Sequence, residues 1–223
     1  MLILIEWDGV LTDVMAGYHR AHQAAAAKVG WSALDAIRFR AALRKQGMDA
    51  HVLPGAPPLK VKQYREAFVA ALESDEVLRT TTLLDTAPLA LRAMSRHSAL
   101  AWVTLGGNMS ARQDVVQRSP VAALFKPGTA MDNDPRRRPA QLRVLAGGEK
   151  RVIVAAASEP LIRAAGSAEI IAVGFSTGAT STARLQQAGA DVVYGSLDEL
   201  AVTLSRGAPD LVQAGLLPLP LGH

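Results

Sequence analysis

The sequence contains no cysteine, and only 4% of its 223 residues are aromatic. The absence of cysteine excludes disulfides, thiol nucleophiles and thiolate metal ligands, so any metal must be held by oxygen or imidazole. The shortage of aromatic side chains leaves no stacking platform for nucleic-acid bases. The features that could still attract a nucleic acid are the basic triplet Arg136 to Arg138 and a formal net charge of +4. Nucleic-acid binding through this triplet is therefore the least favoured of the functions considered.

Long apolar runs are also missing. No stretch reaches the ~18 apolar residues that a transmembrane helix needs, so no membrane partner is expected. The first nine residues become acidic too early for a signal peptide. These absences predict a cytoplasmic protein. With 49% hydrophobic residues, the chain can bury one core and a modest second domain.

The pattern of apolar residues divides the chain in two. Residues 14–82 follow a helical period, with Ser32 as the predicted N-cap of one helix. The predicted helices of this block are residues 18–29, 32–46 and 60–78. From residue 86 onward helices alternate with short apolar strands, at residues 99–103, 121–125, 151–154, 170–173 and 192–194.

This alternation predicts an α/β protein with a doubly wound parallel sheet, which the opening strand joins. The predicted domains are an α/β core of residues 1–13 and 83–207 and a helical insert of residues 14–82. Residues 208–223 form an apolar, proline-containing tail that is too short to cross a bilayer. We expect the tail to cover a groove on its own subunit or a neighbour, so the sequence allows a homo-oligomer formed through the insert or the tail.

The candidate site begins where the first strand ends, at Glu6-Trp7-Asp8-Gly9. Ligands of doubly wound sheets bind at the carboxyl ends of the strands, which is where Glu6 and Asp8 fall. Acids at a strand end are also often solvated or cap the next helix. A single acid would favour that reading, whereas a pair followed by glycine favours a site.

The stretch from Glu6 to Asp13 resembles the first motif of the haloacid dehalogenase-like (HAD) hydrolases, D-x-D-G-T-L-x-D. The resemblance extends from residue 1 to about 204, and the helical insert matches the cap of the phosphoglycolate-phosphatase-like members. It implies phosphoryl transfer through an aspartyl-phosphate, assisted by Mg²⁺. By position, Glu6 is the nucleophile, Asp8 the general acid/base, and both are metal ligands.

Three further stretches resemble the other motifs of the family. Thr104, Leu105 and Gly106 match the second motif, which implies phosphate binding through a hydroxyl and backbone N–H groups. Arg138 stands where the third motif has a lysine, which implies a second phosphate contact. In the fourth motif, Ala157 and Leu161 stand where metal-binding acids belong. The resemblance therefore implies catalytic motifs that are degenerate.

Two functions follow from these departures. Glu6 is one methylene longer than aspartate, and a misplacement of about 1 Å can slow in-line attack about 10²-fold. Without acids at 157 and 161, Mg²⁺ lacks oxygen ligands and a phosphate lacks charge compensation. The favoured prediction is a catalytically degenerate protein with a binding or interaction role and no cofactor. The alternative is a divergent, Mg²⁺-dependent phosphatase for a small phosphorylated metabolite, using Asp8, Thr104 and Arg138.

His19 and His22 share a helical face at a spacing of three residues. Two imidazoles at this spacing can hold a metal only with further ligands, and the sequence supplies no matching third ligand. We therefore expect a packing or solvated role for both.

Overall fold

The computed structural model describes residues 1–46, 53 and 55–207. Its elements, in chain order, are β1 (Leu2–Glu6), β2 (Thr12–Asp13), α1 (Met15–Lys28), α2 (Ala36–Gln46), α3 (Pro58–Leu72), α4 (Asp75–Arg79), β3 (Thr82–Leu83), α5 (Ala87–Ser95), β4 (Ala99–Thr104), α6 (Met109–Gln117), β5 (Phe125–Ala130), α7 (Arg138–Ala146), β6 (Val152–Ala156), α8 (Glu159–Ser167), β7 (Ile171–Phe175), α9 (Thr182–Gln187), β8 (Val192–Tyr194) and α10 (Leu197–Ser205). Residues 47–52 and 54, between the second and third predicted helices, and the predicted tail at 208–223 lie outside the described residues.

The core is a parallel sheet of six strands in the order β5-β4-β1-β6-β7-β8. Strand β1 lies between β4 and β6, with Ile5 opposite Trp102 on one side and Ala155 on the other. Every residue of β1 is buried because helices cover both faces of the sheet. The predicted doubly wound α/β fold is confirmed, and its topology brings the carboxyl ends of β1, β4 and β6 to one edge.

The alternation of side chains along β1 builds two apolar layers. Ile3 and Ile5 point to one face, where they join apolar side chains of α5 and α10. Leu2 and Leu4 point to the other face, where they join side chains of α7, α8 and α9. Successive residues of a strand point to opposite faces, so an unbroken apolar run such as Leu2–Glu6 requires cover on both sides.

The helical cap is formed by α1 to α4. Strands β2 and β3 pair antiparallel, with Thr12 opposite Leu83, and the chain leaves and re-enters the core through this two-stranded ribbon. The cap has its own small apolar core, made by Ala21, Ala25, Ala26, Phe39, Leu43, Leu53, Tyr64, Ala67 and Phe68. Among the described residues, no helix is long and apolar enough to cross a membrane.

The two cap histidines have the packing role that the sequence favours. The amide of Leu34 donates to Nε2 of His22 at 2.8 Å, and Nδ1 of His22 lies 2.8 Å from the hydroxyl of Tyr64. Burial lowers the pKa of His22 to about 4. His22 is therefore a neutral core residue with both ring nitrogens used, and His19 bonds the carbonyl of Leu34.

Several predicted boundaries are wrong. The strand predicted at residues 121–125 is instead a short 3₁₀ turn, Ala122–Leu124, followed by β5. Pro127 within β5 argued against a strand at this position, because proline has no N–H to donate to a neighbouring strand. An edge strand such as β5 tolerates proline because one of its sides has no neighbour. Ser32 does not cap α2; the side chain of Asp35 accepts from the amide of Arg38 at 2.8 Å. The helix predicted at 60–78 ends at Leu72, and α4 begins after Ser74.

Gly128 of β5 offers a test of this packing. A Cβ added at Gly128 would lie 2.0 Å from the buried ring of Trp102. Gly128→Ala should therefore lower the free energy of unfolding by about 2 kcal/mol through overpacking. Gly166→Ala is the control, since a Cβ there meets nothing within 4 Å; it should be neutral or stabilising by up to about 1 kcal/mol. Urea unfolding measures both, and equal stability of the two variants would contradict the packing.

Candidate active site

Glu6 at the end of β1 reaches across to the end of β6. Its Oε2 accepts hydrogen bonds from the amides of Ala157 at 2.7 Å and Ser158 at 3.0 Å. The side chain is almost fully enclosed, with 1% of its surface exposed. The amides belong to the turn that leads into α8, where backbone N–H groups lack helical partners. The extra methylene of glutamate thus carries the carboxylate into the region beside the small side chain of Ala157.

Small residues surround this bridge. A Cβ at Gly178 would lie 2.9 Å from the Cβ of Ala157, and one at Gly9 would lie 3.0 Å from that atom. Gly9 also has a φ of +87°, which favours glycine. The hydroxyl of Thr177 donates to the carbonyl of Gly9 and holds the two loops together. A larger side chain at position 157 would have to displace backbone or Glu6.

Asp8 faces the end of β4. Its Oδ2 accepts from the hydroxyl of Thr104 at 2.8 Å and lies 3.6 Å from Nη2 of Arg112. The amide of Gly106 donates to Oγ1 of Thr104 at 3.0 Å. The structure therefore brings the predicted residues Glu6, Asp8, Thr104 and Gly106 to one edge of the sheet.

Arg112 of α6 was not predicted as a site residue. Its side chain is 4% exposed and forms a two-pronged ion pair with Glu73 of the cap, at 2.8 and 3.0 Å. The amide of Asn108 donates to the same carboxylate at 2.7 Å. A sequence signal was present, since Arg112 shares the buried face of α6 with Ala111 and Val116, and a charged residue on a buried helical face requires a partner.

These residues line a cavity of about 260 Å³, slightly smaller than the ~300–1,000 Å³ of typical small-molecule sites. Its charged lining among the described residues consists of Glu6, Asp8, Glu73 and Arg112. Leu105 and Gly106, both predicted, also line it. The cap contributes a largely apolar wall, and the core adds a few small residues. The cap residues are Val14, Tyr18, Val69, Leu72, Val77 and Leu78, and the core residues are Ala157, Ser158, Ala179 and Thr180.

Burial dominates the ionisation of the two strand-end acids. Burial raises the pKa of Glu6 from 4.5 to about 7; the charge of Asp8 adds to the rise, and hydrogen bonds from Ala157 and Ser158 oppose it. Burial also raises the pKa of Asp8, although Arg112 and Thr104 counteract it. Burial opposes ionisation of Glu73 too, but Arg112 and nearby amides outweigh it and lower the pKa. Glu73 therefore carries the firmly ionised carboxylate of the cavity.

Arg138, the predicted phosphate ligand, is not among the described residues that line this cavity. Its Nε donates to the carbonyl of Asp132 at 2.8 Å and its Nη2 to that of Asn133 at 3.3 Å. It lines a neighbouring groove of about 460 Å³, which also includes Arg163 and Arg184 and shares Ser158 and Thr180 with the cavity. The structure does not bring Arg138 to the cavity of Asp8 and Gly106, so its phosphate-binding role stays a prediction without structural support.

The residues of the site do not fit Mg²⁺. In the described ranges, no group of three or more acidic or histidine side chains is placed to hold a metal ion. Oε2 of Glu6 is committed to two amides, and Asp8 lies beside the fixed cation of Arg112. Ala157 supplies no ligand, and Leu161 is fully buried in the core. Octahedral oxygen coordination therefore lacks its protein ligands.

Solved structures of HAD-like hydrolases resemble this chain over most of its length. A haloacid dehalogenase-like family hydrolase from Streptococcus pneumoniae has a TM-score of 0.72 at 15% identity, covering 91% of this chain and 97% of that one. A predicted phosphoglycolate phosphatase from Haemophilus somnus has a TM-score of 0.67 at 19% identity, covering 92% and 97%. CbbY from Rhodobacter sphaeroides, solved in complex with phosphate, has a TM-score of 0.61 at 21% identity, covering 89% and 95%.

No protein-family model matches the sequence, and no curated protein matches it. The structural similarities show the fold: the chain has the haloacid dehalogenase-like fold, an α/β core with a helical cap. The resemblance inferred from the motifs is confirmed at this level.

The raised pKa of Glu6 predicts a pH-dependent stability. The folded protein keeps a proton on Glu6 up to about pH 7, whereas the unfolded chain loses it near 4.5. The free energy of unfolding should therefore fall as pH rises through this interval, by up to about 3 kcal/mol from this group. Glu6→Gln accepts the same hydrogen bonds without ionising, so its stability should fall less with pH.

Urea unfolding between pH 4.5 and 8 measures this difference. Glu66→Gln is the matched control because Glu66 is exposed on α3, and its pH dependence should follow the wild type. Parallel pH profiles for Glu6→Gln and the wild type would show that Glu6 is not buried as an acid with a raised pKa.

Proposed function

We propose that this chain is a binding protein that retains the HAD-like hydrolase fold but has lost metal-dependent phosphoryl transfer. The observation that carries the proposal is the bridge from Glu6 to the amides of Ala157 and Ser158. This one contact supports the loss of both nucleophilic attack and metal binding. It fixes the carboxylate at the nucleophile position, Glu6, and it lies beside Ala157, where the family has a metal-binding acid.

Glu6 is poorly suited to attack a phosphorus atom. Its Oε2 accepts two hydrogen bonds that fix the carboxylate against the end of β6. With a pKa of about 7, a large fraction of the group is protonated at neutral pH and is then not nucleophilic. In-line transfer also depends on positioning within about 1 Å. These features together argue against an aspartyl-phosphate-type step at Glu6.

The charge around the cavity also disfavours phosphoryl transfer. The described lining of the cavity includes the carboxyl groups of Glu6, Asp8 and Glu73 but one guanidinium, that of Arg112. Arg112 donates two hydrogen bonds to Glu73, and these contacts are shorter than its 3.6 Å approach to Asp8. Phosphoryl transfer relies on positive charge around the transferring group. Without a metal ion, that charge is insufficient.

A binding role is consistent with what remains. The cavity of about 260 Å³ is enclosed by apolar side chains of the cap and by a few polar groups at the strand ends, the usual composition of a small-molecule site. One arrangement supports the alternative of a divergent phosphatase: Asp8, Thr104 and Gly106 keep their mutual hydrogen bonds. A phosphatase assay decides between the two.

Hydrolysis of p-nitrophenyl phosphate and a panel of phosphorylated metabolites should show no Mg²⁺-dependent turnover. The wild type and Asp8→Asn should give the same background rate in Mg²⁺ and in EDTA, because no metal site supports the chemistry. Circular dichroism confirms that both proteins are folded. Turnover that requires Mg²⁺ and disappears in Asp8→Asn would establish the divergent phosphatase instead.

Restoring the lost acids gives a second prediction. Ala157→Asp alone should lower the free energy of unfolding by about 3 kcal/mol, because it buries a second carboxylate against Glu6. The double variant Glu6→Asp with Ala157→Asp shortens the first side chain and should recover part of this loss. Its midpoint of thermal unfolding should rise with added Mg²⁺, since binding to the folded state stabilises it.

Glu6→Asp alone is the control for the shortened side chain, and its melting temperature should not respond to Mg²⁺. A wild-type protein whose melting temperature rises with millimolar Mg²⁺ as much as that of the double variant would contradict the loss of the metal site.

A further inference from the structure

The polar attachment between cap and core near the cavity centres on one carboxylate. Glu73 follows the end of α3, and three hydrogen bonds from Arg112 and Asn108 of the core reach its carboxylate. Its Oε2 accepts from Nη1 of Arg112 at 2.8 Å and from the amide of Asn108 at 2.7 Å, and its Oε1 accepts from Nη2 of Arg112 at 3.0 Å. The carboxylate of the cap thus lies in a set of donors that belongs entirely to the core.

This set of donors has the chemistry of an oxyanion site. A guanidinium presents two parallel N–H groups to a carboxylate or phosphate. Asn108 is the N-cap of the nine-residue helix α6, and amides at a helix N-terminus attract anions. The side chain of Arg112 is 4% exposed, so its charge requires an anionic partner whether or not Glu73 supplies it.

The loop before α6 is shaped around this contact. A Cβ added at Gly106 would lie 2.2 Å from Nη2 of Arg112 and 2.5 Å from Oε1 of Glu73. Glycine at this position therefore allows the guanidinium and its bound carboxylate to approach the loop backbone. The donors are part of the fold of the core, whereas the acceptor comes from the cap.

We propose that Glu73 is an internal ligand of a core oxyanion site, and that a small external oxyanion competes with it for Arg112 and the amide of Asn108. This inference rests on the proposed binding function, because it assigns a ligand class and a regulatory step to the same cavity. Displacement of Glu73 leaves the attachment of the cap to the α6 loop with the side chain of Asn108, which donates to the carbonyl of Glu73 and to Asp75. Binding of the anion is therefore coupled to release of the Glu73 carboxylate from the α6 loop, while Arg44 and Arg184 still join the cap to the core.

Competition with an internal ligand weakens external binding by a predictable factor. The apparent affinity falls by the fraction of molecules in which the site is free. If Glu73 occupies the site in more than about nine molecules in ten, its removal strengthens anion binding about tenfold or more. Asp8 lies 3.6 Å from the same guanidinium and remains in every variant, so it does not affect the comparison.

Isothermal titration calorimetry of the full chain with inorganic phosphate tests the inference. Glu73→Ala should bind phosphate about tenfold or more tightly than the wild type. Glu76→Gln on the neighbouring helix α4 is the matched control, because it makes a similar charge change at an exposed position and should behave as the wild type. Adding Arg112→Gln to Glu73→Ala should abolish the gain.

Hydrogen exchange at the amide of Asn108 gives a second readout. The amide should exchange faster in Glu73→Ala than in the wild type, and phosphate should restore its protection. If Glu73→Ala does not fold, Glu73→Gln keeps an acceptor for Arg112 and should show a smaller gain in the same direction. A folded Glu73 variant that binds phosphate no more tightly than the wild type overturns the inference.

The two proposals fail separately. Mg²⁺-dependent hydrolysis by the wild type would refute the loss of catalysis and leave the competition between phosphate and Glu73 to be judged by calorimetry. Unchanged phosphate affinity in folded Glu73 variants would refute the internal ligand and leave the loss of catalysis untouched.

Discussion

The bridge between the carboxylate of Glu6 and the amides of Ala157 and Ser158 is the interaction on which the rest of the site depends. Burial of this carboxyl group raises its pKa to about 7, although the two amide hydrogen bonds oppose the rise. Its neighbours are small, and a Cβ added at Gly9 or Gly178 would lie within 3.0 Å of the Cβ of Ala157. The Glu6 carboxylate therefore lies beside Ala157, the position at which the family's fourth motif has a metal-binding acid.

Among the described residues that line the cavity, the positive charge comes from the side chain of Arg112. Burial raises the pKa of Asp8, whereas the nearby guanidinium of Arg112 favours its ionised form. Arg112 is itself buried and needs a full anionic partner, which Glu73 provides from the cap. If the metal site is lost, as proposed, that loss is linked through one arginine to the way the cap is attached.

Much of this arrangement is legible in the sequence because it depends on local pattern. The apolar runs that become β1, β6 and β7 predict the sheet, and the strand ends place Glu6, Asp8 and Thr104 at one edge. The pairing of Arg112 with Glu73 was missed because it joins a core helix to the cap across 39 residues. The buried face of α6 signals that Arg112 needs a partner, but no local pattern identifies that partner as Glu73. Arg138 was expected at the cavity, but backbone carbonyls just before α7 bind its guanidinium instead.

A crystal structure of the protein grown with excess Mg²⁺ and inorganic phosphate tests the central claim most directly. The account predicts that Oε2 of Glu6 stays within hydrogen-bond distance of the amides of Ala157 and Ser158, with no metal ion between the ends of β1 and β6. An octahedral Mg²⁺ there, bound by a Glu6 side chain that has turned away from those amides, would contradict it.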